Sequence, residues 1–144
     1  MIKGITAYTA EIDDVEAAVG SILSQLTAQA TLTPDMAGVV FCSFDFAESG
    51  VLAALEAALP FGILGITSVS QAAGTMSEQL MLSVTVYYGD GIVFKPGTSE
   101  ELPDKGDIST LIADGYRAAK KDFPYQEKLI FAFAPLQPYH AGDE

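Results

Sequence analysis

The placement of short apolar runs is the sequence feature that most constrains the fold of this chain. Residues 38–44 are apolar at every position except Ser43, and residues 61–66 are apolar throughout. Such runs are typical of strands buried on both faces of a largely parallel sheet. Residues 2–10 and 80–88 alternate between two sets of side chains, as strands with two different faces do. Helical patterns lie between residues 2–10 and 38–44 and between residues 38–44 and 61–66. This alternation predicts an α/β domain.

The order of these patterns predicts a mixed, mainly parallel sheet that helices cover on both faces. The predicted order is β-α-β-α-β, then an antiparallel β-hairpin, then α-β, with right-handed crossovers between the parallel strands. The predicted helices follow Asp13 and Asp14 or occupy residues 51–59 and 107–122. The hairpin is predicted to turn at residues 89–91 and to return through residues 92–94, and the last strand to occupy residues 128–135. A length of 144 residues fits a single domain.

The charge balance argues against two classes of partner. The chain has 19 acidic and 7 basic residues, a net charge of −12, and its one local basic cluster is Arg117, Lys120 and Lys121. Binding to a phosphate backbone needs clustered Lys and Arg, so neither nucleic acid nor an anionic membrane is an expected partner. No apolar run reaches the ~18 residues that span a bilayer, and the first residues lack a secretory signal pattern. We therefore expect a cytoplasmic location.

The residues for common catalytic and metal sites are scarce. Cys42 and His140 are the only cysteine and histidine, so a disulfide framework and a cysteine-based zinc site are excluded. No Gly-x-Ser-x-Gly elbow is present for a serine nucleophile. Neither a phosphate-binding loop nor a Gly-x-Gly-x-x-Gly turn opens a helix. The sequence therefore predicts no catalytic residue, no metal site and no cofactor.

Polar side chains follow the second and third predicted strands directly. In open α/β sheets, ligands bind outside the carboxyl ends of parallel strands. Hydroxyl, carboxylate and amide groups at such an edge suit a small polar ligand such as an amino acid. The alternative is structural, because Ser and Thr after a strand often satisfy local backbone groups, and Asp45 with Ser49 can start a helix. The candidate ligand-binding residues are Ser43, Asp45, Thr67, Ser68, Ser70 and Gln71.

The order of these segments resembles the N-terminal half of a FIST domain. The resemblance rests on residues 38–43, a short Leu/Ala-rich helix, residues 60–68, and the strand and turn at residues 80–92. It covers roughly residues 10–94, and residues 138–144 resemble the start of the family's next helix. The resemblance implies that the chain is the N-terminal FIST portion of a longer protein that continues beyond Glu144. Ser70-Gln71 stands where the family tends to have Gly-Glu, which leaves the ligand class open.

FIST domains are regarded as intracellular, bacterial-type sensory modules for small ligands, found alone or joined to signalling output domains. The resemblance therefore implies a small-ligand-binding sensory domain of a signal-transduction protein, and not an enzyme. Its expected partners are a small molecule, such as an amino acid, and a signalling output domain or partner protein. The oligomeric state stays open, with a homodimer among the options.

Two other functions remain open from the sequence. One is an enzyme whose non-standard site is completed by a further C-terminal half. The other is a non-catalytic subunit that docks to a partner through the edge of the last predicted strand.

Overall fold

The computed structural model describes residues 1–68, 71–73, 76–78, 80–98 and 108–133. The chain forms two compact units, Met1–Phe94 and Lys95–Glu144. The strands are β1 (Lys3–Thr9), β2 (Ala37–Cys42), β3 (Ile63–Thr67), β4 (Gln71–Ala73), β5 (Met76–Glu78) and β6 (Leu82–Tyr88). The helices are α1 (Val15–Thr27), α2 (Phe44–Glu48), α3 (Val51–Ala58) and α4 (Ile108–Lys120).

Four of the strands form one open, mixed sheet in the first unit. Their order is β1-β6-β2-β3, in which β2 and β3 are parallel neighbours. Strand β6 lies between β1 and β2 and is antiparallel to both. Three strands therefore run in one direction and β6 runs in the other. The predicted α/β class and the mixed sheet are confirmed, although the last strand in chain order lies inside the sheet rather than at its edge.

One face of this sheet carries the core of the first unit. Val84 of β6 lies opposite Ala7 of β1 and Val40 of β2, and all three side chains are buried. The helices complete this core through one apolar cluster, because their buried side chains belong to it together with those of the strands. The helical members of the cluster are Ala18, Ile22, Leu26, Phe46, Val51 and Leu55.

The three helices of Met1–Phe94 cover one face of its sheet, whereas the sequence predicted helices on both faces. The apolar run of β2 suggested burial on both sides. Its residues Val40 and Cys42 are buried on the helix-covered face, but Phe41, on the other face, is 37% exposed. A run of apolar residues therefore overstates how much of its second face is covered.

Helix α1 follows its predicted pattern closely. Asp14 caps its first turn by accepting a hydrogen bond from the backbone N–H of Ala17 at 3.0 Å. Ala18, Ile22 and Leu26 then recur every four residues and are fully buried. Such spacing places them on one side of the helix. The cap and this apolar stripe together explain why the helix begins after Asp14.

Two predicted strands are wrong. The turn at residues 89–91 forms, with the N–H of Ile92 donating to the carbonyl of Gly89 at 3.2 Å, but residues 92–94 form no strand. The reason is that both edges of β6 are already paired, with β1 and β2. Residues 128–133, the described part of the predicted last strand, form no strand either. There Leu129 and Ile130 are exposed.

The short strands β4 and β5 form a separate antiparallel pair. Gly74 and Thr75 favour a turn, and they lie outside the described residues. The flanking strands are not predictable from sequence, since three residues are too few to show a period of two.

The contact between β2 and β3 depends on a glycine. Gly65 lies opposite Val40 in the parallel register, and a Cβ atom at Gly65 would overlap the carbonyl oxygen of Val40. Gly62, three residues earlier, has open space where a Cβ would lie. The close approach at Gly65 is therefore between two strands, and not between a helix and the sheet.

We predict that Gly65→Ala lowers the free energy of unfolding by about 3 kcal/mol, because β2 and β3 must separate to admit the methyl group. Gly62→Ala is the matched control and should change it by less than about 0.5 kcal/mol. Urea unfolding followed by circular dichroism measures both. Equal midpoints for the two variants would contradict the close approach.

In the second unit, the segment after α4 folds back onto that helix. Lys120 forms an ion pair with Glu127, with Nζ and Oε1 2.6 Å apart, and donates to the backbone oxygen of Tyr125 at 2.8 Å. The Tyr116 hydroxyl donates to the same carboxylate at 2.9 Å. These contacts fix residues 125–127 beside the last turns of α4.

We predict that Glu127 titrates with a pKa of about 2, well below its ordinary 4.5. The largest cause is the hydrogen bond from Lys120, followed by one from the backbone of Glu127 itself and then the one from Tyr116. Since the pKa is lowered by folding, the stabilisation is present above the unfolded pKa and is lost as the pH falls through about 2. Lys120→Met should raise this pKa. Lys121→Met, which removes the same charge one residue later, should leave it nearly unchanged. Carbon-13 NMR titration of the Glu127 carboxyl measures it, and equal values in both variants would contradict the prediction.

Candidate functional site

The carboxyl ends of β2 and β3 meet at one edge of the sheet, as the sequence analysis expected. Cys42 and Thr67 are register partners, and the N–H of Ser68 donates to the carbonyl of Cys42 at 2.8 Å. Ser43 and Ser68 therefore leave neighbouring strands side by side. We call the edge formed by Ser43, Asp45, Thr67 and Ser68 the strand-end rim.

Strand β6 begins at the same edge, because it runs antiparallel to its neighbours. Its first residue, Leu82, lies opposite both Cys42 of β2 and Thr9 of β1. The residue before it, Met81, accepts a hydrogen bond from the N–H of Ser43 at 3.1 Å. The backbone of Ser43 is thus held between β3 on one side and the start of β6 on the other.

The side chain of Ser43 has an unusual environment. Ser43 is only 6% exposed, and its Oγ is the one buried side-chain oxygen or nitrogen without a hydrogen-bond partner among the side chains that the structure describes. Ser43 is the N-cap residue of α2, but its side chain makes no capping hydrogen bond. The N–H of Phe46 bonds instead to the backbone carbonyl of Ser43 at 3.1 Å. An unsatisfied buried hydroxyl costs about 1–3 kcal/mol, so a hydrogen-bond partner for this atom, whether a water or a ligand, would stabilise the fold.

The other described members of the rim are open to solvent. Asp45 is exposed in the first turn of α2, where a negative charge is favoured by the helix dipole. Thr67 is exposed at the end of β3, and Ser68 is half-buried. The rim therefore offers hydroxyls and one carboxylate at its surface, above the buried hydroxyl of Ser43.

Of the two remaining predicted site residues, the structure describes only Gln71. Ser70 lies outside the described residues. Gln71 begins β4, where its backbone pairs with Glu78 of β5, and β4 in turn approaches β6 and β1. The small polar residues from Thr67 to Gln71 predict a single turn, whereas Thr67 ends one strand and Gln71 begins another.

Ser49 has a structural role, because its hydroxyl satisfies local backbone groups. Its hydroxyl donates to the carbonyl of Phe46 at 3.0 Å and accepts from the N–H of Val51 at 3.2 Å. These bonds link the end of α2 to the start of α3 across Gly50, whose φ of 86° is left-handed. The Ser49 hydroxyl therefore bonds to backbone groups and is not part of the rim.

One residue at the same edge was missed by the sequence analysis. Thr9 ends β1, is 6% exposed, and accepts from the N–H of Glu11 through its Oγ1 at 3.1 Å. The rule that located Ser43, a small polar residue directly after a buried strand, would also have found Thr9. It was overlooked because the first strand was expected to extend to Ala10.

The described part of the chain adds neither a reactive thiol nor a metal site to the rim. Cys42 is buried, and burial raises the pKa of its thiol, which leaves it in the unreactive protonated form. His140 lies outside the described residues. Within the described ranges, no three His, Cys, Asp or Glu side chains come together as metal ligands. Nor does any helix in those ranges have both the length and the apolarity needed to cross a membrane.

No protein-family model matches the sequence, and neither a curated protein nor a solved structure matches it significantly. The FIST resemblance stays a prediction.

Proposed function

We propose that this chain is a small-ligand-binding sensory domain of a signal-transduction protein and that its ligand binds at the strand-end rim. The observation that carries the proposal is the unpartnered, buried hydroxyl of Ser43 at the point where two parallel strands end together. Unsatisfied polar groups of this kind are uncommon in folded proteins. A ligand that hydrogen-bonds to Ser43 would remove the cost of leaving it unpaired.

The chemistry of the rim favours a small ligand that carries an amine. The Asp45 carboxylate can only accept hydrogen bonds, whereas the hydroxyls of Thr67 and Ser68 can both donate and accept. The only Lys or Arg within residues 1–94 is Lys3, which lies over the ring of Tyr88 on another part of the sheet. A multiply charged anion would therefore find no basic side chain of this unit at the rim. An amino acid, with one ammonium and one carboxylate, fits this donor and acceptor set.

The signal would arise by a shift between two states of the rim. In the described state the Ser43 Oγ is closed off from solvent, so a ligand can reach it only when the rim opens. The unpaired hydroxyl penalises the closed state by about 1–3 kcal/mol. Because the closed state carries this penalty, the ligand must supply less free energy to populate the open state. A ligand that binds only the open state shifts the equilibrium toward the open state.

We predict that Ser43→Ala separates ligand binding from stability. Without ligand, the variant should match or exceed the wild type in unfolding free energy, by up to about 1 kcal/mol, because the unpaired hydroxyl is gone. With ligand, its melting temperature should no longer rise. The measurement is a thermal-shift screen of the full chain against the twenty amino acids and small amines. At a hundredfold excess over Kd, the wild type should gain about 2.7 kcal/mol.

Ser24→Ala is the matched control, since Ser24 is exposed on α1, away from the rim. It should keep the full ligand-dependent shift. A screen in which no compound raises the melting temperature of the wild type would contradict the sensory function, and an equal shift in Ser43→Ala would contradict the site. NMR of the stabilising compound over time adds a third readout, because its conversion to a product would favour the enzyme alternative.

A further inference from the structure

An open apolar groove lies between α1 and α3, apart from the strand-end rim. Its lining consists of half-buried apolar side chains of the two helices, with Gly20 on its floor and Glu16 at its margin. The groove has a volume of about 480 Å³. The apolar residues of the lining are Val15, Val19, Leu23 and Ala54.

Gly20 is not required by the packing of this chain. It lies in the middle of α1, is exposed, and has open space where a Cβ would lie. Glycine is among the poorest helix formers, so an alanine here would favour the helix. What Gly20 provides is a gap in the helix surface, through which the backbone of another element can approach the groove closely.

The charges carried by the three helices of the first unit are all of one sign, and one of them, Glu16, lines the groove. The charged side chains on α1, α2 and α3 are acidic: Glu16, Asp45, Glu48 and Glu56. The turn before α1 adds Glu11, Asp13 and Asp14. No Lys or Arg belongs to these three helices.

This pattern excludes several occupants on electrostatic grounds. Nucleic acid and an anionic membrane would be repelled. A second copy docking groove against groove would bring two acidic margins together, which is unfavourable. The complementary occupant is apolar on the side that enters the groove and basic along its flanks.

We propose that the groove between α1 and α3 binds an amphipathic helix of a partner protein, with apolar side chains on one face and Lys or Arg beside that face. An apolar groove that receives one face of a helix is a recurrent mode of recognition. The Lys and Arg side chains of the partner would pair with Glu16, which lines the groove, and with the acidic residues of the turn before α1. Because the groove shares no residue with the strand-end rim, the proposal does not depend on the ligand site.

The test uses a labelled synthetic peptide of Leu and Lys arranged as an amphipathic helix, and a second peptide of the same composition in scrambled order. Fluorescence anisotropy measures the binding of each to the full chain. We expect the amphipathic peptide to bind at least tenfold more tightly than the scrambled one. Equal binding would reduce the interaction to general charge attraction and overturn the proposal.

Three variants locate the binding. Gly20→Leu, which fills the floor of the groove at an exposed helix position, should weaken binding of the amphipathic peptide at least tenfold. Glu16→Lys should weaken it similarly, whereas Asp90→Lys makes the same charge change at an exposed turn and should have a much smaller effect. Unchanged binding in Gly20→Leu, or equal losses in the two charge variants, would overturn the proposal.

Two measurements separate loss of peptide binding from loss of folding and from self-association. Circular dichroism and urea unfolding should show that Gly20→Leu is at least as stable as the wild type, so that its lost binding is not lost folding. Sedimentation equilibrium of the chain without peptide should give the same mass for the wild type and this variant. A dimer that dissociates in Gly20→Leu would assign the groove to a second copy and contradict the partner helix.

Discussion

The position of β6 between β1 and β2 determines most of what this protein's first unit can do. Val84, at its centre, is fully buried and packs against strands on both sides. Without β6, the facing edges of β1 and β2 would both be unpaired. Loss of this strand would therefore expose the core and separate the elements that form the strand-end rim.

The candidate site follows from that arrangement. The start of β6 holds the backbone of Ser43 through Met81, and the neighbouring β3 holds Cys42 through Ser68. Between these anchors the Ser43 backbone is satisfied and its hydroxyl is not. A ligand is the partner that we propose for this hydroxyl.

The local parts of this fold could be predicted from sequence, because they depend on nearby residues. The cap at Asp14 and the four-residue spacing of its helix define α1, and the apolar run before Ser43 defines β2. The sheet order could not be predicted, because it depends on contacts between residues far apart in the chain. The hydroxyls of Thr6 and Thr85, for example, are hydrogen-bonded at 2.9 Å across 79 positions.

The same distinction applies to the candidate site. That Ser43 and Ser68 follow neighbouring parallel strands was readable from the pattern of apolar runs. That the Ser43 hydroxyl is buried without a partner was not, since it requires the start of β6 at the same edge. The groove between α1 and α3 could not be predicted from sequence either, because it depends on how two helices pack and on the absence of a side chain at Gly20.

The central claim is the sheet order, and methyl NMR of the full chain tests it most directly. Opposed side chains on one face of a sheet lie about 5 Å apart, so the account predicts nuclear Overhauser effects from the Val84 methyls to both Ala7 and Val40. Direct effects between Ala7 and Val40, with none from Val84 to either, would place β1 beside β2. That result would contradict both the sheet order and the strand-end rim derived from it.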